Sequence, residues 1–196
     1  MSVRVETAAA EDRTPAPMRR LVEFVNTRRA DGDVIETPDQ LATWLREHAL
    51  LPPETAVTTP ERDRAARARE GLRALLAQNN AEPVTSPRPD GLDPAAHSDL
   101  AALTVDLPLT LDVTRTPPAL VPATRGPVDT ALATLLADIA TAVAAGTWSR
   151  LKTCREPSCR WAFYDHSRNR GRTWCSMNVC GNRVKVRASH QRNSTR

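Results

Sequence analysis

The chain has 196 residues, enough for one medium domain and a small appendage. Its 40% apolar residues can build a core that 16 prolines break into short elements, and no apolar run reaches the roughly 18 residues that a bilayer span needs. The net charge of +4 is unevenly spread: residues 150–196 carry twelve basic and two acidic side chains (+10), and residues 1–149 carry fifteen and twenty-one (−6). Such a split suits a basic end that meets a polyanion and an acidic body that does not. Arginine supplies 25 of the 27 basic residues, and its planar fork fits phosphate oxygens and guanine edges. GC-rich codon use explains the abundance of arginine but not its clustering. The opening MSVRVETAAAEDRTPAP lacks the apolar centre of a secretory signal, so residues 1–17 read as a disordered lead-in to a cytosolic protein.

From Met18 to Ala30, Leu21, Phe24 and Val25 fall on one helical face. Thr37 then offers an N-cap with Pro38 at the first helical position, and Leu41, Trp44, Leu45 and His48 follow at amphipathic spacing. Thr59-Pro60 repeats the start signal for a longer helix to about Asn79, with Ala65, Ala68, Leu72, Leu75 and Leu76 inside. Its arginines (Arg62, Arg64, Arg67, Arg69, Arg73) alternate with Glu61, Asp63 and Glu70 and read as a solvated face. Residues Ala81 to Asp93, rich in Pro, Ser and Asp, read as a loop, and Asp93-Pro94 opens a short helix to about Leu103. Leu107, Leu109, Leu111 and Val113 then recur at period two, a half-buried strand that Pro108 places at an edge, with Ala119–Val121 as its hairpin partner. Val128 to Ala145 is the most apolar helix, with Leu132, Leu135, Leu136, Ile139 and Val143 inward and Gly146 as its stop. Residues 18–148 are thus expected to form a mainly α domain carrying one β-hairpin. The chain shows neither a glycine-rich phosphate loop nor a catalytic triad or carboxylate pair, so an enzyme is not expected.

All four cysteines lie between positions 154 and 180, as C-x4-C, fifteen residues, C-x4-C. Thiolates from Cys154, Cys159, Cys175 and Cys180 would fill a tetrahedral zinc site and leave no open position, which is a structural arrangement. Two disulfides, a redox switch or iron compete with one structural Zn2+ for the same four residues. His166, in the charged turn, reads as a surface residue. A strand at Trp161–Tyr164, a second at Arg172–Trp174 and a helix after Ser176 bearing Cys180 would give a small treble-clef-like α+β module over 149–190, followed by a basic tail at 191–196.

Cys180-Gly181-Asn182-Arg183 is the signature of the CGNR zinc finger. Arg155, Pro157, Trp161, Phe163, Ser167-Arg168-Asn169 and Trp174-Cys175-Ser176-Met177 resemble that family's pattern as well. Phe24-Val25-Asn26-Thr27 looks like the opening motif of the ABATE domain, so the chain resembles bacterial proteins that join an ABATE domain to a CGNR finger. That resemblance implies a stress-linked transcription regulator, and it favours DNA over RNA as the polyanion. Arg183, Lys185, Arg187 and Arg192 lie on or near the expected last helix, Arg183 and Arg187 on one face, and Arg168, Arg170 and Arg172 decorate the turn before it. The helix would enter a DNA groove while the turn arginines hold phosphates, with affinity falling steeply in salt. Asn26 and Thr27 would either line a small-molecule pocket in a sensing domain or bond a neighbouring loop to fix its packing. The sequence therefore reads as a zinc-dependent DNA-binding regulator in the cytoplasm, at the nucleoid, with room for an oligomer and no membrane partner. A protein-interaction adaptor and a thiol-based redox sensor stand as alternatives.

Overall fold

The computed structural model describes residues 13–29, 31–80 and 95–194, without the side chains of residues 188, 189 and 191–194. The expected loop over 81–93 and most of the lead-in therefore lie outside the described residues. Helix α1 (Ala16–Val25) already starts within the expected lead-in, opened by proline, and buries Met18, Leu21, Phe24 and Val25. A two-residue hairpin, β1 (Arg28–Arg29) with β2 (Gly32–Asp33), leads to α2 (Pro38–Glu47), where Thr37 forms a capping box with Gln40. His48 sits past the end of α2 rather than in its stripe, stacked on Trp44 with ring centroids 3.8 Å apart.

Helix α3 (Thr59–Ala77) is capped by Thr58, one residue before the expected position. The reason is chemical: three residues after Thr58 comes Glu61, whose carboxylate can reach back to the cap N–H, whereas Thr59 is followed by Arg62, which has no acceptor. Helix α4 (Ala95–Thr104) crosses α3 closely at Gly71, where an added Cβ would lie 2.5 Å from Leu100 Cβ and 2.8 Å from the Ala96 carbonyl. Strands β3 (Leu109–Asp112) and β4 (Ala119–Pro122) form the expected hairpin. Its inward assignment fails, however: Leu111 is 57% and Val113 69% exposed, because only the Leu107 end of the strand reaches the core.

Helix α5 (Pro127–Ala144) ends before Gly146, whose φ of +64° supplies the left-handed stop. By length and composition it is apolar enough to cross a bilayer, contrary to the run-length expectation. It is instead a core helix that buries Val128, Leu132 and Leu135, and its Asp138 receives Arg20 of α1 at 2.7–3.0 Å. Val143, expected inside, is 58% exposed. After a 3₁₀ turn (Trp148–Arg150) come β5 (Leu151–Thr153) and β6 (Ala162–Tyr164), which pair antiparallel. The chain closes with a π-turn (Met177–Gly181) that runs into α6 (Asn182–Ser194). Leu151 and Ala162 belong to the same apolar core as Leu21, Leu72 and Leu135, so the β5–β6 hairpin is built into the body.

The arginines of α3 correct the solvated-face expectation. Arg69 and Arg73 are each 3% exposed. Arg69 grips Asp33 at 2.6 and 3.0 Å and donates to the Thr27 hydroxyl, while Arg73 donates to the carbonyls of Val25 and Arg160. These buried guanidiniums satisfy backbone groups at the junction of α1, β2 and the loop before β6, where an apolar side chain would leave carbonyls unpaired. The fold is thus a mainly α body with small two-stranded sheets and a cysteine module docked at its C-terminal end.

Candidate metal centre and the cleft beside it

The β5–β6 hairpin carries the first two cysteines on its connecting loop. Cys154 N–H donates to Trp161 O at 2.8 Å, and Cys159 N–H to Glu156 O at 2.9 Å, closing a tight turn that Arg160 leaves at φ +52°. The second pair is positioned by a buried ion pair rather than by a strand. Lys152 Nζ lies 2.8 Å from Asp165 Oδ2 and also donates to the carbonyls of Arg170 and Arg172, while Asp165 accepts from the N–H groups of Ser167 and Arg172. Residues 172–174, expected as a strand, therefore run as irregular chain: side chains hold the Arg172 N–H and the carbonyls of Arg172 and Trp174, and only the Thr173 carbonyl takes a backbone N–H, that of Arg155. Arg172 folds inward over Phe163, with its guanidinium 5.1 Å from the ring centroid, and donates to the carbonyls of Trp174 and Cys175. Ser176 caps the π-turn, its hydroxyl accepting from Val179 N–H, and this places Cys180 one turn in.

These elements bring the four sulfurs within 4.8 Å of one another. Cys159 and Cys175 are 3.6 Å apart, and Cys175 and Cys180 3.7 Å. A tetrahedral cage with metal–sulfur bonds of about 2.3 Å has edges of about 3.8 Å, whereas a disulfide needs about 2.05 Å. All four cysteines are free, and the spacing matches the cage. Their acidity points the same way. Hydrogen bonds from Cys154 and Cys175 hold the Cys159 thiol down at about 2, while its hydrogen bond to Cys159 pushes Cys154 up. Burial and the neighbouring Cys154 and Cys159 charges push Cys180 up to about 12, and hydrogen bonds to Cys154 and Cys159 push Cys175 up as well. Four thiolates at this spacing are mutually incompatible until a cation neutralises them, so the donor set fits a thiophilic metal ion.

Glu156 and Asp165 are the only acidic residues after position 149, and both are 0% exposed. Glu156 accepts from Ser158 and pairs with Arg187 of α6. Burial works to raise both carboxyls; Arg187 and Ser158 outweigh it at Glu156, and Lys152 and Ser167 at Asp165, so both are held below the usual range. The outward surface of this module consequently carries basic side chains and no acidic ones among the described residues. Arg168, Arg170, Arg183 and Lys185 are exposed, with Arg170 reaching Ser149 Oγ at 2.9 Å. Two of the arginines expected on DNA do other work: Arg172 is turned inward, and Arg187 is spent on Glu156. The side chain of Arg192 lies outside the described residues.

Asn26 and Thr27 are both buried. Asn26 Oδ1 accepts from Ala162 N–H at 2.8 Å, and its Nδ2 donates to Ala162 O at 2.9 Å, so the amide pairs with β6 as a neighbouring strand residue would. Thr27 Oγ1 donates to Phe24 O at 2.8 Å. Their polar atoms thus fix packing, yet both residues also border a cleft of about 690 Å³ between α1, the end of α2 and the cysteine module. Trp44, Trp161, Phe163 and Tyr164 contribute its aromatic wall, and Cys175 to Asn178 form part of its rim. The sequence signal for the buried acids was available, since two carboxylates in a strongly basic segment need partners. Nothing local foretold the cleft, whose walls lie more than a hundred positions apart in the chain.

Residues 150–193 match the family profile described as CGNR zinc finger. Residues 18–146 match the ABATE profile, described as "putative stress-induced transcription regulator". A search of curated proteins returns no match.

Proposed function

Because the chain belongs to the ABATE family and ends in a CGNR zinc finger, we propose that it is a DNA-binding transcription regulator holding one structural zinc ion. Cys154, Cys159, Cys175 and Cys180 hold the ion. A closed cage of four sulfurs suits zinc, which needs no redox change and no open position. The ion ties the β5–β6 loop to the π-turn and so sets the direction of α6. The reading is of a cytoplasmic, nucleoid-facing binding protein, not an enzyme.

The observation that carries the DNA half is the internal use of both acids. With Glu156 and Asp165 buried and paired, the exposed side chains of the module that bear charge are cationic. Such a surface neutralises phosphates without competing carboxylates. Helix α6 is polar and leaves Val186 54% exposed, so it is not a core helix seeking an apolar partner face. It presents Arg183 and Lys185, while Arg168 and Arg170 stand on the preceding turn. In this reading the helix enters a groove and the turn grips the backbone.

A mobility shift with fragments of the source genome, at low and moderate salt, tests this. Zinc-loaded protein is expected to bind, with affinity falling steeply as salt rises. Arg183→Ala with Lys185→Ala is expected to abolish the shift while leaving zinc content unchanged. Binding that ignores both salt and this double substitution would overturn the reading and favour the adaptor alternative.

A further inference from the structure

The cleft between α1 and the finger has the build of a ligand site rather than of a packing flaw. Its volume of about 690 Å³ falls within the roughly 300–1,000 Å³ typical of small-molecule sites. Its wall is unusually rich in flat groups. Trp161 stands 5.8 Å beneath the Arg29 guanidinium, Tyr164 lies 4.9 Å from the His166 ring, and Trp44 is covered by His48. Four of the seven aromatic residues of the chain thus meet around one opening.

Charge narrows the class of occupant. Three arginines (Arg19, Arg29, Arg172) and two glutamates (Glu23, Glu47) line the cleft. Glu23 is already engaged by His48 at 3.3 Å, and Arg172 by backbone carbonyls. Arg19, Arg29 and Glu47 form no ion pair among the described residues, so the open charges of the lining are two positive against one negative, and Arg29 is exposed. Met177 and Asn178, also on the rim, open the helical run that continues as α6, where N–H groups lack intrahelical partners. Guanidinium groups above an aromatic wall suit a flat ring bearing an anion, the ring stacking and the anion accepting charge-assisted hydrogen bonds.

We propose that this cleft binds a planar aromatic carboxylate that bridges α1 and the zinc finger. The site deepens the regulatory reading above, because the occupant would touch the chain between Cys175 and Asn178 and so couple to the placement of α6. No DNA is needed to test it, so its failure and that of the DNA reading can be told apart.

Zinc-loaded, full-length protein is titrated with 2-naphthoate by calorimetry and by quenching of tryptophan emission, with 2-naphthamide as the neutral isostere. Saturable binding of one naphthoate per chain is expected. It should weaken about ten-fold or more for the amide and for Arg19→Ala with Arg29→Ala, the size of a lost charge-assisted hydrogen bond. Both arginines lie outside the buried core, so the double variant should keep the parent melting temperature. Hydrogen exchange should slow at residues 175–178 on binding. Equal affinity for acid and amide, undiminished binding by the double variant, or no saturable binding would each overturn the proposal.

Discussion

Asp33 and Asp138 are two acids held by arginine whose carboxyls move in opposite directions. Burial works to raise both. At Asp33 the Arg69 hydrogen bond, the Ile35 N–H and the charges of Arg69 and Arg62 outweigh it, so the carboxyl is held below the usual value. At Asp138 burial outweighs the two-pronged grip of Arg20, and the carboxyl is pushed up. Linkage then fixes the signs. Asp33 adds stability above the ordinary carboxylate range, lost as pH falls through its lowered folded value; Asp138 adds stability in acid, lost as pH rises through its raised one. Asp33→Asn is expected to cost about 1–3 kcal/mol at neutral pH, because it removes the two-pronged carboxylate partner of the buried Arg69 and leaves it only Glu70 and the Thr27 hydroxyl. Asp138→Asn should cost less than about 1 kcal/mol there, since Arg20 keeps contact with water. Urea unfolding at about pH 7 and about pH 3 separates them, the Asp33→Asn deficit shrinking at the lower pH. Arg187 makes a second contrast. Its charge is already spent on Glu156. Arg187→Ala is therefore expected to weaken DNA binding with little change in salt slope, whereas Arg183→Ala should lower the slope by about one. Equal slopes for the two variants would place Arg187 on phosphate instead.

Helix starts show how far local chemistry reaches. The S/T-x-x-E/Q pattern locates α2 at Thr37 and α3 at Thr58, and a start at Thr59 overlooks which residue three positions on can accept. Thr58→Ala is expected to lower stability by about 1 kcal/mol, and Thr59→Ala to leave it within about 0.3 kcal/mol, as read from thermal melts. The β3–β4 hairpin, the apolar α5 and the two C-x4-C loops were legible for the same reason, being set by spacing over fewer than twenty residues. The arginines of α3 were not. Whether a helical arginine faces water or core depends on partners that periodicity does not contain: Asp33 lies 36 positions before Arg69, and the Arg160 carbonyl 87 after Arg73. Residues 172–174 misled in a related way. Their composition permits a strand, but Lys152 and Asp165 take up the neighbouring backbone groups first.

At the scale of the molecule, body and finger share one interior. Leu151 and Ala162 sit in the main core, Asn26 clasps Ala162, Asn79 donates to the carbonyls of Trp148 and Leu151, and Asn80 to that of Thr153. The strands of this hairpin are held by the core, and a metal ion on the cysteines would tie the chain beyond it, at Cys175 and Cys180, to Cys154 and Cys159 on its connecting loop. Metal removal by a chelator is therefore expected to raise hydrogen exchange across residues 165–187 while Leu151–Thr153 stays protected. Exchange that rose equally in both would mean that the ion, and not the core, holds the hairpin.

The amide of Asn26 has a practical corollary for dissecting this protein. Cutting the chain before Trp148 would not separate a reader from a receiver. It would strip a strand from a side chain that imitates one, leave two hydrogen-bonding atoms facing an emptied groove, and expose apolar side chains that Leu151 and Ala162 now cover. A shortened chain of that kind would fail in assays for reasons unrelated to what the finger contacts. Substitutions on the solvent side of α6, which leave the clasp closed, are the sounder way to ask what each half contributes.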